Sequence, residues 1–370
     1  MIKTTSILWL LICLFAFFMG YQLRPVTSQL ENATGTQSPS TKPFQWKMVT
    51  TWPPNFPILQ QGAEQLAKDI ETISGGQLQI KVFAGGELIP PLQTFDAVSQ
   101  GTVEMGHGAA YYWAGKVPAA QFMSAVPFGM TAKGVNAWLY QGGGLALWRE
   151  LYQPFNLIPF PAGNTGVQMA GWFNKKIESV ADLKGLKMRI PGLGGKVLAK
   201  AGGTPMLLAG GEIYTALERG VIDATEWVGP FHDQRLGLYR AAKYYYYPGW
   251  HEPGTVLELI INSQAWAKLP HHLQKTVEMA AISANQQMLS KFEALNIQAL
   301  RELKAQHQVE VLPFPPDVRK KLKQLTTETL EEGAAKDTDF KKVYEAYKQF
   351  QADNTAWNHI SDEAYGAFEW

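Results

Sequence analysis

The chain has 370 residues, 46% hydrophobic and 18% charged. That is enough apolar material for more than one lobe, because single cores stop growing at about 250–300 residues. Lys and Arg number 33 against 32 Asp and Glu, a net charge of +1, which excludes intrinsic disorder and argues against a polyanionic partner such as nucleic acid.

The chain opens on "MIKTTSILWLLICLFAFFMGYQ", with Lys3 ahead of an apolar run from Ile7 to Met19. A membrane span needs about 20 apolar residues, so the run suits a signal-peptide core better. Phe18-Met19-Gly20 makes a poor cleavage site, which leaves residues 1–22 as a signal peptide or an N-terminal anchor of an exported, periplasmic protein. Cys13, the one cysteine, lies inside this run and reads as packing, so a mature chain contains no internal disulfide. Residues 23–43, with the Ser/Thr-rich "TSQLENATGTQSPSTK" at their centre, read as a flexible tether.

From Trp46 the apolar periods predict strand, helix, strand, helix, strand. "WKMVTTW" is extended, Phe56 to Ile73 helical, "LQIKVFA" extended, "LQTFDAVSQG" a short helix stopped by Gly101, and "VEMGHGAAYYW" extended. A second round of the same kind starts at Gly166. "GVQMAGWF", "LKMRI" and "VIDATEW" are its strands, and "VADLKG", Gly192 to Ala201 and "GEIYTALERG" its helices, the last stopped by Gly220. "YYYYPGWHEPG" and "TVLELIINSQAW" then read as returning extended segments, the second crossing back to the first lobe. His271 to Gln306 contains neither Gly nor Pro and keeps an apolar face through Val277, Ala281, Met288, Phe292, Leu295 and Leu303. Such a helix reaches roughly 50 Å, enough to brace two lobes. The remainder reads as mostly helical. The expected fold is therefore α/β, with lobe 1 over residues 44–165, lobe 2 over 166–256, and residues 257–370 supplying the return, the long bridging helix and the C-terminal helices.

Ligands of open α/β sheets bind at the carboxyl ends of strands, and the ends read here are Tyr111-Tyr112, Gln168, Arg189 and Glu226-Trp227. Taken singly, Arg189 reads as a surface cation and Gln168 as a satisfied core amide. Glu226 is harder to set aside, because a carboxylate between Ala224 and the apolar Trp227-Val228 needs a partner if buried. Glu252 lies in an irregular turn, where exposure is the default. Catalytic signatures are weak: "PGLGGK" lacks the phosphate-loop spacing, the histidines show no H-E-x-x-H, and no G-x-S-x-G elbow occurs.

The stretches "DLKGLKMRIPG", "GGEIYTALERGVIDATEW" and "YYYYPGWHEPG" closely resemble the solute-binding proteins of tripartite ATP-independent periplasmic (TRAP) transporters. The last two resemble the branch that binds 2-oxo and 2-hydroxy monocarboxylates. The likeness runs from about Trp46 to the C-terminal helices. It implies a non-enzymatic periplasmic-binding-protein fold of two lobes closing on a small organic acid, which is delivered to the transporter's membrane subunits. It implies that Arg189 grips the acid's carboxylate with its planar fork, and that Trp227, Tyr111, Tyr112 and Phe128 line the space around it. It further implies a cation held by Gln168, Glu226, the main-chain carbonyl of Trp227 and Glu252, together with oxygens of the acid. His251 and Pro253 depart from the Trp and Gly that close relatives carry there, which weakens the reading of Glu252. Calcium balances the charges if Glu252 points inward, and sodium if it does not. Homodimerisation through C-terminal helices is a further expectation. Two other classes stay open: a tethered enzyme with Glu226 as general base, which lacks a second catalytic group, and an extracytoplasmic sensor of the same ligand.

Overall fold

The structure is a computed structural model that describes residues 42–368. The apolar N-terminal run with Cys13, and the tether up to Thr41, lie outside the described residues. No helix among the described residues is long and apolar enough to cross a membrane.

The chain first lays down β1 (Phe44–Thr50), β2 (Leu78–Phe83) and β3 (Met105–Gly108), with β1 parallel to both of the others. The helices Leu59–Ile73 and Thr94–Ser99 supply the crossovers. Gly101 sits at φ +73° after the second helix, a conformation that glycine takes without steric cost. The third strand is shorter than its apolar pattern suggests. Tyr111 and Tyr112 lie beyond it, on the single 3₁₀ turn Ala110–Trp113. Two short helices, Ala132–Tyr140 and Gly144–Tyr152, lead to β4 (Leu157–Asn164), which the periodicity does not announce. Pro159 and Pro161 interrupt its alternation, and β4 is an edge strand, where a missing N–H costs no ladder bond.

The chain then crosses to a second sheet and forms β5 (Gly171–Phe173), β6 (Lys187–Arg189), β7 (Thr204–Met206), β8 (Ala224–Thr225) and β9 (Tyr244–Tyr247). It returns as β10 (Val256–Asn262), antiparallel between β3 and β4. After the long helix it adds β11 (Glu310–Pro313) parallel to β9. The sheet orders are β2-β1-β3-β10-β4 and β11-β9-β5-β8-β6-β7. Both sheets are mixed, since β5 runs antiparallel to β8 and β9. The strands expected over 166–173 and 221–227 shrink to three and two residues.

What those residues do instead decides the site. Residues 165–168 and 249–255, the two crossovers between the sheets, pair with each other. Thr165 N donates to Thr255 O (3.0 Å), Gln168 N to Glu252 O (3.1 Å), and Gly249 N to Gln168 O (2.8 Å). Only glycine fits at position 249, because a Cβ there would stand 2.4 Å from the Gln168 carbonyl oxygen.

The long helix spans His271–Gln306, 36 residues. Val277, Ala281, Met288, Phe292 and Leu303 are buried and Leu295 is half-buried. It packs on β4 of the first sheet and on helix Pro230–Leu236, which follows β8 of the second. The next two helices divide between the sheets. Val318, Leu322 and Leu325 of Pro316–Lys336 join the core under β6, with Leu183, Met188 and Val197. Phe340, Val343 and Tyr347 of Thr338–Ile360 join the core with Phe122 and Trp138. A third core mixes both sheets: Trp52, Phe56 and Tyr111 meet Trp172, Trp227 and Tyr245.

Candidate ligand and cation site

β6 and β8 are parallel neighbours with Arg189 in register with Thr225, so they reach the carboxyl edge of the sheet at the same level. Pro191, without an N–H, caps helix Gly192–Lys200 just beyond β6. Arg189 and Glu226 are therefore left side by side at the edge, and both are buried (1% and 0% exposed). Arg189 Nη1 donates to Glu226 Oε1. Nη1 also reaches the Glu226 carbonyl (3.4 Å), Nε the Leu208 carbonyl (3.3 Å), and Nη2 the Tyr112 hydroxyl (3.4 Å). A guanidinium has five N–H groups, and these contacts leave one on Nη2. Burial pulls the guanidinium pKa down, but Glu226 and the two tyrosines outweigh it and hold Arg189 above its ordinary value.

Gln168 and Glu252 face each other across the paired crossovers. Gln168 Nε2 donates to Glu252 Oε2 (2.7 Å) and lies near Thr165 Oγ1 (3.1 Å) and Thr255 Oγ1 (3.2 Å). Thr255 Oγ1 donates to the same carboxylate oxygen (2.6 Å), and Tyr111 OH stands 3.5 Å from it. Glu252 is 3% exposed, so the exposure expected of an irregular turn is corrected. The crossover pairing, with Gln168 N donating to the Glu252 carbonyl, takes the turn out of solvent. Burial, then the nearby charge of Glu226, raises the Glu252 carboxyl to about 7.

Several buried polar atoms are left over here. Gln168 Oε1, Glu226 Oε2, the Trp227 indole N–H and both ring nitrogens of His251 are buried without a hydrogen-bond partner. Glu226, His251 and Glu252 each offer a ligand atom within 4.8 Å of the others. Unpartnered buried oxygens of a carboxylate and an amide, beside a second carboxylate, are the donors that a hard cation takes. The residues fit a cation.

Aromatic groups enclose the corner. The Arg189 guanidinium lies 5.2 Å from the Trp227 ring centroid, and Phe56 meets that ring edge-on at 6.0 Å. Gly210 makes room for the indole, since a Cβ there would fall 2.5 Å from Trp227 Cη2. Tyr111 and Tyr112 pack edge to face at 4.9 Å. Phe128 stands further off. It packs on Trp250 at 5.9 Å, and its carbonyl accepts from Gln351 (3.1 Å).

Sequence reasoning missed two residues. His251 appears there only as a departure from pattern, yet its ring is 1% exposed and its Nε2 is 3.5 Å from Glu226 Oε2. Asp233 is not singled out at all. Its Oδ1 accepts from the Val228 and Gly229 amides (3.3 and 3.2 Å), and its Oδ2 from Trp172 Nε1 (3.0 Å) and Tyr245 OH (2.7 Å). It thus fixes the chain directly behind Trp227. The available signal was Gly229-Pro230, a helix start with an acid in its first turn.

The model of the DctP family, bacterial extracellular solute-binding protein family 7, matches residues 48–337. The chain belongs to this family. A monocarboxylate 2-oxoacid-binding periplasmic protein of Nostoc sp. is 46% identical over 346 residues, 92% of this chain and 94% of that protein. A TRAP periplasmic solute-binding protein of Pseudoalteromonas atlantica, solved with bound sodium and pyruvate, superposes with a TM-score of 0.86. It is 43% identical and covers 89% of this chain and 100% of its own. The corresponding protein of Colwellia psychrerythraea, solved with bound calcium and pyruvate, gives a TM-score of 0.85. It is 44% identical over 88% of this chain and 99% of its own. The two-sheet α/β architecture with its bracing helix is the fold of these solute-binding proteins.

Proposed function

We propose that this solute-binding protein carries a small 2-oxo or 2-hydroxy monocarboxylate together with a cation, and delivers it to the membrane subunits of a TRAP transporter. The observation that carries the reading is the pairing of an arginine with one spare N–H and a cluster of buried oxygens without partners, at one strand-end corner. Arg189 would grip the carboxylate, and Gln168, Glu226, the Trp227 carbonyl and Glu252 would hold the cation. Trp227, Tyr111 and Tyr112 would exclude water, with Phe128 behind Trp250. The two related proteins solved with pyruvate hold sodium in one case and calcium in the other, which supports the pairing of acid and cation.

On this reading the protein binds and releases its cargo without catalysis. Residues 44–165 and 166–256 act as lobes that move about the paired crossovers, braced by 257–370. The chain works outside the cytoplasm, exported through residues 1–22 and held or released there according to whether they are cleaved. Self-association into a homodimer would use the C-terminal helix, on which Trp357 and Ile360 are 57% and 70% exposed; light scattering reads its mass.

The test is linkage. If the cation bridges Glu226 and the acid, each strengthens the other's binding by the same factor. Pyruvate titrated calorimetrically into chelated, desalted protein is expected to bind more weakly than with calcium or sodium added, and Glu226→Gln is expected to shrink that difference. Cation-independent affinity in the wild type overturns the bridging reading. Binding left intact by Glu226→Gln, with turnover of the acid abolished, would instead establish the enzyme class.

A further inference from the structure

His251 is the buried polar group that the ligand reading leaves without a task. Its ring is 1% exposed, and neither nitrogen has a hydrogen-bond partner. Trp250 packs against the ring edge-on at 5.5 Å, and Gly194 on helix Gly192–Lys200 approaches so closely that a Cβ there would stand 2.9 Å from His251 Cβ. The imidazole is thereby held with Nε2 3.5 Å from Glu226 Oε2, which is itself unpartnered. An imidazole enclosed in this way makes no hydrogen bond and meets only the Glu226 carboxylate, at 3.5 Å, so most of its desolvation cost is uncompensated. A cation among Glu226, Glu252 and His251, whose ligand atoms lie within 4.8 Å of one another, relieves that cost on the ring and on Glu226 Oε2 together.

We propose that His251 supplies a nitrogen ligand to the cation site, so that the site prefers a borderline first-row divalent ion such as zinc over calcium or sodium. Calcium and sodium take oxygen ligands, whereas imidazole suits transition ions that accept mixed nitrogen and oxygen sets. Gln168 Oε1 and the two carboxylates supply the oxygens, and coordination leaves the neutral imidazole a single N–H to satisfy where there were two open positions. The inference rests on the cation-bridged reading above but differs from it in the identity of the ion.

The experiment titrates chelator-stripped protein with zinc and, separately, calcium, each with pyruvate present, for wild type and His251→Gln. The manganese-loaded wild type is also examined by electron spin-echo envelope modulation. Zinc is expected to bind the wild type about tenfold or more tighter than calcium, as imidazole suits zinc, and the echo of the manganese-loaded protein is expected to carry nitrogen modulation. His251→Gln offers an amide oxygen in place of the ring and is expected to erase both the preference and the modulation. The echo measurement needs only the wild type, so the proposal stays testable if the variant does not fold. Pyruvate binding that depends on calcium, with no preference for zinc and no nitrogen modulation, overturns the nitrogen ligand and leaves the cation-bridged reading standing. Pyruvate binding indifferent to every cation overturns both.

Discussion

Two kinds of buried carboxylate coexist in this protein. Asp233 and Glu258 are 1% and 0% exposed, and every oxygen has a donor. Asp233 takes two amides, an indole and a phenol, while Glu258 takes the Trp113 indole on Oε1 and the Tyr152 hydroxyl (3.0 Å) on Oε2. Glu226 is as deeply buried, yet one of its oxygens faces Arg189 and the other makes no hydrogen bond, with only the His251 ring 3.5 Å away. The first kind is complete within the fold and fixes the chain around it. The second is complete only with something added, and that difference marks the site more sharply than burial or charge does.

The comparison is most readily broken at Arg189. Removing one partner of a buried ion pair leaves an uncompensated charge and costs about 3–5 kcal/mol. Arg189→Met is therefore expected to lower urea stability by that order in chelated, ligand-free protein, and Arg189→Met with Glu226→Gln to recover part of it. A single-mutant loss under about 1 kcal/mol, the range of exposed pairs, would mean that Glu226 does not depend on Arg189.

Asp233→Asn is expected to have the next largest effect. An amide nitrogen must then face donors on one side of the group, at a cost of about 1–3 kcal/mol for the unsatisfied pair. Because the Val228 and Gly229 amides lose their anchor, pyruvate affinity is expected to fall as well, with the circular-dichroism spectrum unchanged. Stability lost with affinity intact would make Asp233 a support of the core alone, with no hold on the Trp227 corner.

Glu258 gives the smallest effect at pH 4, but a distinctive profile. Burial raises its carboxyl from 4.5 to about 7, with the Trp113 and Tyr152 hydrogen bonds opposing the shift. Its folded pKa lies above its unfolded one, so the folded state holds the proton more tightly between those values. The contribution is complete below about 4.5 and lost as pH rises to about 7. Glu258→Gln is expected to stay within about 1 kcal/mol of wild type at pH 4, the size of one neutral hydrogen bond. It is expected to lose less stability than wild type between pH 4 and 7 in thermal melts, and parallel profiles would remove Glu258 as their cause.

The sequence by itself carried much of this protein. Apolar periodicity, with glycine and proline as punctuation, located the long helix at its observed ends and the first β-α-β-α-β round, because those signals act within a few residues. It also put Arg189 and Glu226 at strand ends, and resemblance in three short stretches named the family. It did not announce β4, whose Pro159 and Pro161 are tolerated only because the strand lies at an edge, nor β11, four residues whose place depends on pairing with β9. Sheet order, and with it the antiparallel insertion of β10, is a choice among long-range pairings that no local pattern encodes. The same holds inside the site. Glu252 reads as an exposed turn residue, and becomes buried because two crossovers 84 residues apart pair Gln168 with it. His251 and Asp233 look ordinary in the chain, and packing alone decides that one is enclosed without a hydrogen bond and the other with four. Burial and hydrogen-bond satisfaction are set by neighbours distant in sequence, so which buried group is complete, and which awaits a ligand, was decided only by the tertiary structure.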